Sequence, residues 1–227
     1  IIIFICSSPL LASNYYWVGG TGAWSDYAAH WATTSGGTVF HVTIPSPADD
    51  VFFDASSFPS TGDTVYMDTT ITNCKSINWS SATNTPSISG TIQMDLYGSL
   101  ILSPNMNWNC NGGLHLKSTA PGNIINTAGH ALIGQSSSMN LLFEDTGTWQ
   151  LQSALTLGTG AGNPGVIDLD KGTFYTNGFS INCYRVMSLM SSAFSLFLDT
   201  SVVNCINWNL SGQSLLSMNL DADSAII

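Results

Sequence analysis

Two groups of carboxylates have spacings that can do chemistry. Asp49, Asp50 and Asp54 fall close together in the chain. Carboxylates with backbone carbonyls nearby are the hard oxygen donors that Ca2+ prefers. The spacing is not that of an EF-hand loop. The competing reading has Asp49 capping a turn after Pro47 while Asp50 and Asp54 face water. If Asp50-Val51-Phe52-Phe53-Asp54 is one strand, its two end carboxylates share a face.

The second group is Asp168, Asp170 and Asp199. Glycoside hydrolysis needs two carboxylates held apart across a groove. Asp168 and Asp170 flank Leu169 and so share a face, and on a coiled chain they can meet Asp199 across adjacent turns. Lyase chemistry would add a cationic base, for which Lys171 and Arg185 are the candidates. Asp95, Glu144 and Asp145 are further carboxylates of this kind. The alternative role for all of them is to sit as solvated charges on the outside of a sheet and blunt it against association. Tyr97, Tyr175 and Tyr184 can stack on sugar rings or pack at turns.

Other catalytic patterns are missing. His30, His41, His115 and His130 are scattered, and His115, between Leu114 and Leu116, points away from a core. No G-x-S-x-G elbow occurs. Gly19-Gly20-Thr21-Gly22 has neither a following helix nor a Lys to hold phosphate. The reading is therefore non-catalytic, with no cofactor other than Ca2+ as an option.

The elements that must carry these residues are strands. Charged residues make up only 8% of the 227-residue chain while 44% is hydrophobic. Helices need long charged side chains on their wet face, and this chain lacks them. From about residue 61, apolar and polar residues alternate in short runs, as in Ile92–Leu96, Leu114–Leu116, Ile167–Leu169 and Leu196–Leu198. That period marks strands with one buried face. Turn pairs such as Ala128-Gly129, Lys171-Gly172 and Asn177-Gly178 punctuate them. Short strands recurring at roughly 20-residue intervals indicate a right-handed parallel β-helix of about seven or eight turns, with a β-sandwich as the competitor. Local words recur too: Asn73-Cys74, Asn182-Cys183 and Asn204-Cys205, and Asn78-Trp79, Asn107-Trp108 and Asn207-Trp208. They suggest side chains stacked in ladders, with Cys74, Cys183 and Cys205 at one position of the coil as buried free thiols. Disulfides stay open as an alternative for an exported chain, and no cysteine spacing fits zinc.

The ends and the charge set the setting. Residues 1–13 combine an apolar run, Pro9 and small residues, which reads as the remnant of a signal peptide cleaved after Ala12 or Ser13. Residues 14–60 read as an aromatic cap with first irregular coils, and residues 61–227 as the β-helix, with its carboxyl end cut short. The net charge is −10 with four Lys and Arg in total, too few cations to neutralise a nucleic-acid backbone. An extracellular glycan or a cell surface is the expected partner, with no transmembrane segment in the mature chain and the oligomeric state open.

The run Trp17-Val18-Gly19-Gly20-Thr21-Gly22-Ala23-Trp24-Ser25-Asp26, then Trp31 and Pro47-Ala48-Asp49-Asp50-Val51-Phe52-Phe53-Asp54, resembles the opening of large bacterial secreted surface proteins with β-helical passenger regions. Phrases such as Leu96–Pro104, Gly147–Gln152 and Gly172–Gly178 are similar to their later coils. The resemblance covers most of residues 15–227. It implies export, a parallel β-helix and adhesin-like display, and it carries no catalytic residues over. Ala23 departs from the pattern, which often has Asn there. The function expected is a non-catalytic secreted surface scaffold that binds glycans or cell surfaces. The alternatives are a carbohydrate-active β-helix (a polysaccharide lyase or tailspike-like depolymerase) and a structural stalk of a larger protein.

Overall fold

A computed structural model describes residues 12–133, 139–188, 192–211 and 218–227. Nearly every described element is a strand, and the helix Tyr27–His30 is a single turn. The strands stack in parallel into a β-helix. Each full turn lays one short strand on each of three faces.

The first face runs from Asn14–Trp17 through Asp50–Phe52, Ile77–Asn78, Leu100–Ile101, Asn123–Asn126, Thr148–Leu151, Gly172–Tyr175 and Phe194–Phe197 to Met218–Asp221. Trp31–Ala32 closes its amino-terminal edge in antiparallel pairing with Asn14–Trp17. The second face is two four-strand sheets, Gly22–Ala23 to Asn107–Cys110 and Ala131–Leu132 to Val203–Asn204. The third face stacks Thr72–Cys74, Met94–Leu96, Leu114–Leu116, Met139–Phe143, Asn163–Leu169, Arg185–Met187 and Asn207–Asn209.

Alternation dictates the core. On the first face Tyr15, Val51, Ile77, Leu100, Ile125 and Leu151 pair in one inward column. On the third face Met94, Leu114, Leu141, Ile167 and Val186 do the same. All of these are buried. No turn can bury such a column alone, so each coil is stable only against its neighbours. At the amino-terminal end Trp17, Trp24, Trp31, Phe53, Phe58 and Trp79 fill the same core. Phe53 stacks on Trp79 with centroids 3.7 Å apart. The aromatic segment thus shares one core with the coils, and its strand Asn14–Trp17 is already in their parallel register.

Several sequence expectations change here. Ile77 pairs with Leu100, Leu100 with Ile125 and Ile125 with Leu151, so coils are longer than the roughly 20 residues expected. That drift scatters the repeated words. Asn78-Trp79 belongs to the first face, Asn107-Trp108 to the second and Asn207-Trp208 to the third. Cys74 lies on the third face, opposite Leu96, whereas Asn182-Cys183 and Asn204-Cys205 are true neighbours on the second. There Asn204 Nδ2 donates to Asn182 Oδ1 at 2.9 Å. Cys74, Cys110, Cys183 and Cys205 are all free, the first three buried. The strand expected to reach Asp54 stops at Phe52. Residues 1–11 of the expected signal segment lie outside the described residues. Among the described residues no helix is long and apolar enough to cross a membrane.

Candidate binding face

The outward column of the third face gathers most of the chemistry. Asn73 pairs with Asp95, Asp95 with His115, His115 with Leu142, Leu142 with Asp168, and Asp168 with Met187. Just past these strands Lys117, Glu144 and Asp170 follow one another from coil to coil, their amides bonded to the carbonyls of Leu96, Leu116 and Phe143.

One half of this strip is closed upon itself. Lys117 Nζ donates to Asp95 Oδ2 at 2.8 Å and reaches Glu144 Oε2 at 3.1 Å. His115 Nδ1 lies 2.8 Å from Glu144 Oε1. Gln93 Nε2 donates to Asp95 Oδ1 at 2.6 Å. Burial works against the Lys117 ammonium, yet Asp95 and Glu144 together raise its pKa. These groups satisfy one another, as partly buried charges must.

The other half is open. Burial, then the neighbouring Asp170, pushes the Asp168 carboxyl up to about 6, against a lowering hydrogen bond from the Leu169 backbone. Burial and then Glu144 raise Asp170, with Lys171 opposing. One oxygen of Asp168 and the Nε of Arg185 are shut from solvent without a hydrogen-bond partner. Both residues line a concavity of about 310 Å³, together with Asn140, Pro164, Tyr184 and Met187. Arg185 stands 5.9 Å from the centroid of the Tyr184 ring. The concavity exists because this coil makes an excursion. Thr159–Gly160 folds back antiparallel on Asn163–Pro164, which extends the next strand to seven residues and raises Pro164 as a wall.

The remaining expected site residues lie elsewhere. Asp199 sits in the turn after Phe194–Phe197, on the first face, at φ 52°. It is not brought to Asp168 and Asp170, because a coil shift moves a residue along one face and does not carry it to another. Tyr97 lies where the chain leaves the third face, Tyr184 where it enters, and Tyr175 on the first face. Tyr175 stacks on Phe197 of the next coil, centroids 4.7 Å apart. The three tyrosines do not converge.

Asp49, Asp50 and Asp54 also separate. Asp49 is buried and accepts from the Ser13 amide at 2.8 Å, the Ser46 amide at 2.8 Å and the Ser46 hydroxyl at 2.6 Å. Asp50 pairs with Lys75 at 3.0 Å. Asp54 accepts from the Ser56 amide at 2.8 Å. No group of three or more His, Cys, Asp or Glu side chains suited to a metal occurs among the described residues. Asn140 is the lining residue that sequence reasoning misses, and it takes Arg185 only as a candidate lyase base; their common place appears once the register lays the two strands on either side of Val166.

No protein family, no curated protein and no solved structure matches this chain.

Proposed function

We propose that the chain is a non-catalytic scaffold of an exported surface protein, and that its third face binds an extracellular glycan. The observation that carries this is the concavity that Asp168, Arg185 and Tyr184 line together, offering an acceptor, a donor and a ring. An aromatic face beside a few convergent polar groups is how small-molecule sites are built. The resemblance of residues 15–54 to secreted β-helical surface proteins supports export and display. The test is retention of the purified chain on a panel of neutral and acidic polysaccharides, read together with new reducing or unsaturated ends. Retention without new ends is expected. Loss of retention on every glycan overturns the reading.

A second reading has one observation in its favour. Asp168, with its carboxyl pushed up to about 6, lies two residues from Asp170. Inverting glycosidases use two carboxyl groups on either side of the scissile bond, and Asp168 with Asp170 would be that pair. New reducing ends that disappear in Asp168→Asn would establish it.

A further inference from the structure

The concavity on the third face has chemistry specific enough to name a ligand class. It is built by three consecutive coils: Asn140 from one, Pro164 and Asp168 from the next, and Tyr184 and Arg185 from the third. In register, Asn140 pairs with Val166 and Val166 with Arg185, while Asp168 pairs with Met187. Asp168 and Arg185 are therefore diagonal neighbours across two adjoining coils. Their charges are opposite, yet among the described residues no ion pair joins Arg185 to a carboxylate. Each keeps a polar atom without a partner.

The two side chains that line the concavity set the requirement. The Asp168 carboxylate accepts, and the Arg185 guanidinium donates. A single hydroxyl, or two adjacent ones, both donates and accepts and so meets both sides. A carboxylate or phosphate would satisfy Arg185, but it would face Asp168 on a chain of net charge −10. An ammonium would meet the guanidinium, which already stands against the Tyr184 ring. Uncharged polyols escape both repulsions. Tyr184 then supplies the flat apolar surface against which the C–H face of a sugar ring packs. A volume of about 310 Å³ lies at the low end of small-molecule pockets, which fits one ring and not a long buried chain.

We infer that Asp168, Arg185, Tyr184 and Asn140 form a subsite for one neutral pyranose residue bearing adjacent free hydroxyls. The inference rests on the glycan-binding reading above and narrows it to one place and one charge class.

The test uses the full chain with the methyl glycosides of glucose, galactose and mannose as probes, and glucuronate as the charged counterpart. Binding is measured by calorimetric titration and by ligand-observed saturation transfer. Wild type is compared with Tyr184→Ala, Arg185→Met, Asp168→Asn and, on the first face, Tyr175→Ala. Thermal melting reports folding, and Asp168→Asn keeps the shape if Arg185→Met disturbs the coil. At least one neutral glycoside is expected to bind, with affinity falling about tenfold or more, some 1.4 kcal/mol, in each of the three third-face variants. Tyr175→Ala leaves binding unchanged and glucuronate binds more weakly. Saccharide binding that survives all three third-face variants overturns the subsite while the glycan reading stands. Stronger binding of glucuronate overturns the charge class. Failure of the wild-type chain to hold any saccharide, polymeric or monomeric, overturns both. If Asp168 and Arg185 are only an ion pair that has not closed, their variants lower the melting temperature and leave binding intact, which also overturns the subsite.

Discussion

Lys117 reaches back one coil to Asp95, 2.8 Å away, and forward one coil to Glu144, 3.1 Å away, so a single ammonium ties three turns of the helix together. Asp95 is only 4% exposed, and a carboxylate so placed is tolerable only while paired. Lys117→Met should therefore destabilise the chain by about 2–3 kcal/mol, more than the usual surface ion pair contributes. Adding Asp95→Asn removes the stranded charge and should restore most of that loss. Urea unfolding of the single and double variants measures it. A single variant as stable as wild type would mean that Asp95 finds water or another donor.

Asp49 shows a carboxylate used as a turn cap. Its oxygens accept three hydrogen bonds from Ser13 and Ser46. Hydrogen bonds to a charged acceptor contribute roughly 1.5–3 kcal/mol each, so Asp49→Ala should lower stability by about 2–4 kcal/mol after relaxation. Because those oxygens are committed to N–H and O–H donors, adding Ca2+ or a chelator should leave the melting temperature of wild type unchanged. A Ca2+-dependent rise that is lost in Asp49→Ala would reinstate the metal reading.

The fold was legible because its signal is local. Alternation over Leu114-His115-Leu116 is enough to say which side chain turns inward, and Asn177-Gly178 does adopt the left-handed turn its residues favour, at φ 52° and 75°. The site was legible only in pieces. Asp168 and Asp170 share a face by period alone, but the residue that stands beside Asp168 is set by coil length, which no short word encodes. The repeated Asn-Cys word groups Cys74 with Cys183, whereas successive coils of unequal length put Cys74 opposite Leu96. The excursion at Thr159–Pro164, which walls the concavity, has no alternation to announce it.

Gly112 marks a corner where neighbouring coils come close. A Cβ there would overlap the Ile92 carbonyl, a backbone atom that cannot swing aside. Gly112→Ala should destabilise by about 1–3 kcal/mol, the range for overpacking a tight site. Gly129→Ala is the informative contrast, because a Cβ there meets nothing within 4 Å and only its φ of 87° is strained. Chemical denaturation of both separates the penalty of overlap from that of backbone strain. Equal losses would show that the corner at Gly112 yields.

The Asp168 carboxyl makes stability depend on pH with a defined sign. Burial, then Asp170, pushes its pKa up to about 6 in the folded chain. An unfolded Asp titrates near 3.9. Between those values the folded state holds the proton and the unfolded state releases it, so folding is favoured as pH falls through that window. Above about pH 6 the ionised carboxylate is penalised in the folded state, and the favourable contribution is gone. Asp168→Asn removes the charge without changing shape. It should be more stable than wild type by about 1 kcal/mol near neutral pH, a figure reduced from the raw shift because the side chain is partly solvated. The advantage should shrink to nothing as pH falls to about 4, where wild type is protonated as well. Paired urea titrations of the two proteins across this range give the difference directly. An advantage that stays constant with pH would place its origin in packing, and would mean that Asp168 titrates as an ordinary exposed carboxylate.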